Sequence, residues 1–155
     1  MLERICLEGF QSGLSWRTVL ERREHLRQAF DGFDPMLITR YARSDVERLL
    51  ADPRVIRNGA KIAAVIDNAR ALLSLQAREG VGALDALVWS CHVPQRGRPR
   101  TSAEVPSRTD ASTALARDLR RLGFRYVGPT TAYSVLQATG VVDDHLLGCE
   151  GAPGR

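Results

Sequence analysis

The stretch Leu119-Arg120-Arg121-Leu122-Gly123-Phe124-Arg125-Tyr126-Val127-Gly128-Pro129-Thr130-Thr131-Ala132-Tyr133 reads as one helix, a tight hairpin and a second helix. Gly123 ends the first helix, and the second begins just after Gly128. A glycine at 128 lets backbone approach a phosphate, and the free N–H groups of the next helix start, with the dipole behind them, favour an anion. Arg120, Arg121 and Arg125 add point charge to the same turn. An ordinary αα turn with a glycine cap fits this spacing equally well.

Outward from the hairpin, apolar residues recur at helical spacing, as in Trp16, Val19, Leu20, Leu26 and Phe30, and no long alternating pattern appears. The expectation is an all-α chain. Start signals agree: Ser15 precedes a helix at Trp16, Asp34-Pro35 sets a cap before a first-turn proline, and Ser44-Asp45-Val46-Glu47 reads as a capping box. A longer central helix is predicted from about Asn58 to Arg78, with Ile62, Val65, Ile66, Ala69, Leu72 and Leu73 buried and Gly80 and Gly82 ending it. Residues 92–108, with three of the seven prolines, are predicted to be a loop.

The 155 residues, 44% hydrophobic, suit a single domain over 1–155, with the hairpin unit at about 115–139. No apolar run approaches the ~20 residues of a membrane span, and residues 1–15 do not resemble a signal peptide. A cytoplasmic location with no membrane partner is expected. Cys6, Cys91 and Cys149 are odd in number and widely spaced, a poor basis for a disulfide framework. The net charge is +4, yet residues 92–126 alone hold eight arginines against three carboxylates, a local +5. Such a concentration is the footprint of a phosphate-backbone binder, since neutralised phosphates release counterions. A solvated basic surface would have the same composition.

The run Leu7-Glu8-Gly9-Phe10-Gln11-Ser12-Gly13-Leu14-Ser15-Trp16 resembles the signature L-E-G-x-Q-A-G-L-S-W of the 3-methyladenine-DNA glycosylase I family. The resemblance continues through Trp16 to Arg23, Asp45-Val46-Glu47-Arg48-Leu49, Ile56 to Ile62, the hairpin, and Val142-Asp143-Asp144-His145. It implies the helix-hairpin-helix DNA glycosylase fold and base-excision repair, by hydrolysis of the N-glycosidic bond of methylated adenine flipped from duplex DNA. Such a base is cationic and already a good leaving group, so selectivity matters more than catalytic force. By similarity, Glu8 accepts hydrogen bonds from the base and counts as a catalytic candidate through its charge. Trp16 offers a π face, over which a cation gains ~0.5–2 kcal/mol that neutral adenine would not. Gly13 and Leu14, between them, are candidates for filling the gap left in the duplex, although Leu14 also fits an inward-packed residue. Arg120, Arg121, Arg125, Gly128 and Thr130 hold the DNA backbone in this reading. Outside the motif, a tryptophan at a helix start is more often core, and a lone glutamate is usually solvated.

Two departures from the family qualify these expectations. Family members begin about thirty residues earlier, with cysteine, histidine, tryptophan and tyrosines there, whereas this chain starts at Met1-Leu2-Glu3-Arg4. The resemblance therefore implies an N-terminally truncated fold. It also implies a structural zinc with two ligands near each terminus, of which His145 and Cys149 are present, four apart and able to face the same way on one helix. An unligated pair fits the sequence equally. The second departure is Asp143, where this branch often has asparagine. Related enzymes place an aspartate there that stabilises the oxocarbenium sugar or orients water, and a helix cap by Asp143 or Asp144 is the alternative. No lyase step is expected, because Gly128-Pro129-Thr130-Thr131 lacks the lysine that bifunctional relatives use, and Lys61 is the only lysine. Three readings follow: a monomeric, monofunctional glycosylase acting on double-stranded DNA with alkylated bases, a catalytically weak or inactive module that only binds DNA, and a fragment that folds poorly.

Overall fold

The computed structural model describes residues 1–92 and 97–149. In chain order they form helices α1 (Leu2–Gln11), α2 (Trp16–Glu21), α3 (Arg23–Ala29), α4 (Pro35–Ile38), α5 (Arg43–Ala51), α6 (Gly59–Glu79), α7 (Ala83–Trp89), α8 (Asp110–Arg121) and α9 (Pro129–Ala138). Single 3₁₀ turns occur at Asp31–Phe33 and Ser102–Glu104, and no strand appears among the described residues. The all-α expectation holds.

The central helix forms within a residue of its predicted ends. Asn58 caps α6 by accepting from Lys61 N at 3.1 Å, and Gly80, at φ +92°, ends it in a conformation that a side chain would resist. Ile62, Val65, Ile66, Ala69 and Leu72 are buried as predicted, while Leu73 is half-buried and Leu75 takes the core position one turn on. Helices α1, α4, α5 and α7 pack around α6, and α9 joins α1 to α8. Each fully buried aliphatic side chain along this axis stabilises the fold by roughly 1.5–3 kcal/mol.

Local differences have local causes. The amphipathic run from Trp16 to Phe30 breaks into α2 and α3 at Arg22, whose guanidinium leaves the helix to donate to Pro53 O at 3.0 Å and Val55 O at 3.3 Å. Ser15 and Asp34 cap as expected, accepting from Thr18 N and Met36 N. The box expected at Ser44 starts two residues earlier. Ala42 is the cap position, and Asp45 Oδ2 accepts from Ala42 N at 3.0 Å, so Ser44 lies inside the helix. Residues 97–109 are a loop apart from the Ser102–Glu104 turn, and Leu147 N donates to Pro99 O at 2.8 Å, which ties this loop to the C-terminal segment. Arg96, one of the eight arginines of the basic stretch, lies outside the described residues.

The turn between α8 and α9 has the predicted boundaries. Gly123, at φ +98°, ends α8, and Gly128 precedes α9 with Pro129 in its first turn. Phe124 and Val127 bury their side chains, while Arg125 and Tyr126 stay at the surface. Tyr126 adopts φ +56°, a left-handed conformation that non-glycine residues avoid unless their surroundings enforce it.

Candidate active site

The residues after Leu7 build one wall of a cavity. α1 ends at Gln11, the chain reverses through Ser12, Gly13 and Leu14, and α2 starts at Trp16. Gly13, at φ +79°, takes the conformation that the reversal requires. The loop is closed by Leu14 N donating to Gln11 O at 2.7 Å and by Gln11 Nε2 donating to Leu14 O at 3.1 Å. Glu8 and Trp16 thereby line the same cavity of about 460 Å³, which falls within the ~300–1,000 Å³ of small-molecule sites. α9 and the segment after it supply the facing wall, with Ser134, Gln137, Ala138, Val142, Asp144 and His145.

Glu8 is only 4% exposed, and its carboxylate takes no hydrogen bond from any described residue. Burial pushes its pKa up to about 7, against a smaller downward pull from Arg4 one turn away. Arg4 is fixed in turn by donating to Ala138 O at the end of α9. A buried carboxylate on a cavity wall that no described residue hydrogen-bonds is costly to the fold and available to a ligand that donates hydrogen bonds or carries positive charge. Trp16 is 37% exposed, so part of its indole is open to the cavity rather than committed to the core. Leu14 is 38% exposed, which removes the inward-packed alternative, and Gly13 beside it is also exposed.

The two adjacent aspartates diverge. Asp144 lines the cavity, where Oδ2 accepts from Gln137 Nε2 at 2.8 Å and from the Tyr133 hydroxyl. Desolvation and this carboxylate both push the Tyr133 phenol up, so it stays a protonated donor. Asp143 is engaged elsewhere: Oδ2 accepts from Arg98 Nε and Nη2, both at 2.9 Å, and Oδ1 accepts from His145 N at 3.2 Å and lies 2.7 Å from His145 Nδ1. The hydrogen bonds from His145 and the charge of Arg98 hold its carboxyl below the usual range. Asp143 therefore fixes His145, which lines the cavity. The resemblance spans Tyr133 and Asp144 but assigns neither a role in the base site, and Gln137 lies outside it. The available signal was the four-residue spacing of Tyr133 and Gln137, which sets them on one face of α9.

The expected metal pair differs from its prediction. His145 and Cys149 lie in irregular structure, not on a helix, so the four-residue spacing does not align them. Among the described residues no helix follows for Asp143 or Asp144 to cap. Among the described residues no group of three or more His, Cys, Asp and Glu side chains converges, so they do not fit a four-ligand structural zinc.

The basic hairpin carries its charges unevenly. Arg120 has no acidic partner among the described residues, and its Nη2 would stand 3.6 Å from a Cβ placed on Gly128, so the guanidinium lies along the turn. Thr130, exposed in the first turn of α9, sits beside it. Arg121 reaches Asp118 at 3.6 Å, and Arg125 is paired to Asp67 of α6 at 2.9 Å. The three arginines are therefore not equivalent.

Comparisons with known proteins agree with this layout. A family model described as methyladenine glycosylase matches residues 1–152. DNA-3-methyladenine glycosylase 1 of Escherichia coli (strain K12) is 46% identical over 157 aligned positions, covering 100% of this chain and 83% of that protein. A crystal structure of 3-methyladenine DNA glycosylase I superposes with a TM-score of 0.92 at 45% identity, over 98% of this chain and 84% of that one. A 3-methyladenine DNA glycosylase I from Staphylococcus aureus, solved to explain 3-methyladenine recognition, gives 0.91 at 28% identity, over 99% and 82%. With the family model matching almost end to end and two such relatives spanning the cavity and both its walls, the chain belongs to the methyladenine glycosylase family.

Proposed function

We propose that the protein is a monofunctional DNA-3-methyladenine glycosylase, which hydrolyses the N-glycosidic bond of 3-methyladenine, an alkylated purine, after the base is flipped out of duplex DNA. The single observation that carries this is Glu8, a carboxylate 4% exposed that takes no hydrogen bond from any described residue, on one cavity wall with the partly exposed ring of Trp16. A cationic base between them gains a charge-assisted hydrogen bond and a cation–π contact, and neutral adenine gains neither charge term. The site therefore selects the lesion while spending little on the chemistry, as suits a base that is already a good leaving group.

Asp144 faces the same space from the opposite wall, and its charge favours the positive character that develops on the sugar as the bond lengthens. Asp143 acts in this reading as a positioning residue, through His145. Arg120, Gly128 and the first-turn N–H groups of α9 hold a phosphate as a helix-hairpin-helix unit over about 115–139, with Arg121, Arg125 and Thr130 at its margin. Gly13 and Leu14, exposed at the rim beside Glu8 and Trp16, enter the duplex where the base has left. No lyase step is supported, because Lys61 is buried and its Nζ is held by Phe10 O and Ser12 O. The protein works as a cytoplasmic monomer that approaches DNA from the face bearing the cavity and the hairpin.

Release of free base from methylated duplex DNA, measured beside the Glu8→Gln variant, tests the proposal. Release of 3-methyladenine by the parent protein that falls at least on the order of tenfold in the variant is the expected result. A folded protein that binds duplex with salt-dependent affinity, releases no base and is indifferent to Glu8→Gln would instead be a DNA-binding module only.

A further inference from the structure

The two loops assigned to DNA in the proposed function are both anchored to one face of one helix. Lys61, the only lysine and 8% exposed, directs its ammonium group from α6 to Phe10 O at 2.8 Å and Ser12 O at 2.5 Å. These carbonyls lie at the end of α1, where helical partners run out and a cation is favoured by the dipole. The contact closes the start of the loop that carries Gly13 and Leu14. Seven residues further along α6, Asn68 is 2% exposed and holds the hairpin: its Oδ1 accepts from Arg125 N at 2.7 Å, and its Nδ2 donates to Arg125 O at 3.3 Å. Arg125 precedes Tyr126, whose left-handed backbone needs such enforcement. A Cβ on Gly9, next to Glu8, would stand only 3.2 Å from Tyr126 Cβ, so α1 and the hairpin also meet directly.

Seven residues are almost two turns, so Lys61 and Asn68 share a face about 10 Å apart along the axis. Burying an ammonium and an amide in an otherwise apolar face carries a desolvation cost, offset here by the backbone groups of Phe10, Ser12 and Arg125 that the two side chains satisfy. From this juxtaposition we infer that Lys61 and Asn68 are positioning residues that set the distance between the base-side loop at Ser12–Leu14 and the phosphate-side hairpin at Arg120–Gly128. The inference rests on the proposed function. A flipped nucleotide is held at its base and at its backbone together, so the spacing of the two grips matters only when both are engaged. Neither residue touches the cavity that Glu8 and Trp16 line.

Steady-state base release from methylated duplex is measured for Lys61→Met, Asn68→Leu and their combination, beside binding of free 3-methyladenine followed by tryptophan fluorescence in a Trp89→Phe background, and a thermal melt. The expected result is a KM for duplex raised on the order of tenfold or more in each single variant, with free-base affinity changed less than about twofold. The double variant should lose less than the product of the two in KM, since the spacing can be lost only once, while the drops in melting temperature add. Lys61→Arg, which keeps a cationic donor, should recover most of the loss. Should the apolar variants fail to fold, Lys61→Gln and Asn68→Asp carry the same readout with weaker contacts. An unchanged duplex KM in folded variants, or free-base affinity falling in step with it, overturns the inference. Arg120→Glu and Glu8→Gln in the same assay separate the two levels. If the parent protein releases no base, the proposed function itself fails. If it does, and Arg120→Glu raises KM while the α6 variants do not, only the inference fails.

Discussion

Replacing Glu8 by glutamine should stabilise the fold above neutral pH while it damages recognition. Burial raises the carboxyl from 4.5 to about 7, so between those values the folded protein holds a proton that the unfolded chain has released. Stability therefore falls as pH rises through that window and stays low above it, because the native state must then carry a buried charge. At ~1.4 kcal/mol per pH unit, the full cost above pH 7 is on the order of 3 kcal/mol. Glu8→Gln removes the charge and keeps the shape, so this is the most the variant can gain. For a chain of this size each kcal/mol moves the melting temperature by roughly 2–4 °C, which sets a ceiling of about 10 °C at pH 8. Water in the open cavity screens part of the charge, so a rise of several degrees is expected. The parent and the variant are melted at pH 8 and at pH 4, where both side chains are neutral and the gain should vanish. A melting temperature unchanged or lowered at pH 8, or an equal gain at pH 4, refutes the reasoning.

Four further outcomes follow from the site. The kcat/KM for the cationic lesion should fall about tenfold per pH unit below about 7, as Glu8 takes up its proton, and a profile in Glu8→Gln that keeps this limb would remove Glu8 from recognition. Arg120→Ala should lower duplex affinity and flatten the salt dependence by about one counterion, whereas Arg125→Ala, already paired to Asp67, should change the slope less; titrations at several salt concentrations compare them. Asp144→Asn should reduce kcat on the order of tenfold or more with KM nearly unchanged, and Asp143→Asn should act more weakly through His145; equal effects in steady-state assays would contradict the assignment. Gly123→Ala should cost roughly 1–2 kcal/mol in urea unfolding, because φ +98° strains any side chain while Ala71 Cβ, at 3.6 Å, leaves room for a methyl group.

The sequence by itself determined the helical class, the extent of the central helix, the caps at Ser15 and Asp34 and the glycine-bounded hairpin, and its motif paired Glu8 with Trp16. These features depend on neighbours within one or two turns, and the spacing of side chains and the demands of helix ends act at that range. The tertiary structure decided the rest, because it concerns residues far apart in the chain. Asp143 and Asp144 are alike as letters. Only the return of the 97–100 loop, with Arg98 on Asp143, and the position of Gln137 on α9 separate a carboxylate bound outside the cavity from one on its wall. Arg125 looked like its neighbour Arg120 until Asp67, 58 residues away, was found against it. The contacts of Lys61 and Asn68 have no trace in the spacing of α6, since their partners lie 49 to 62 residues away and packing alone brings them within hydrogen-bond reach.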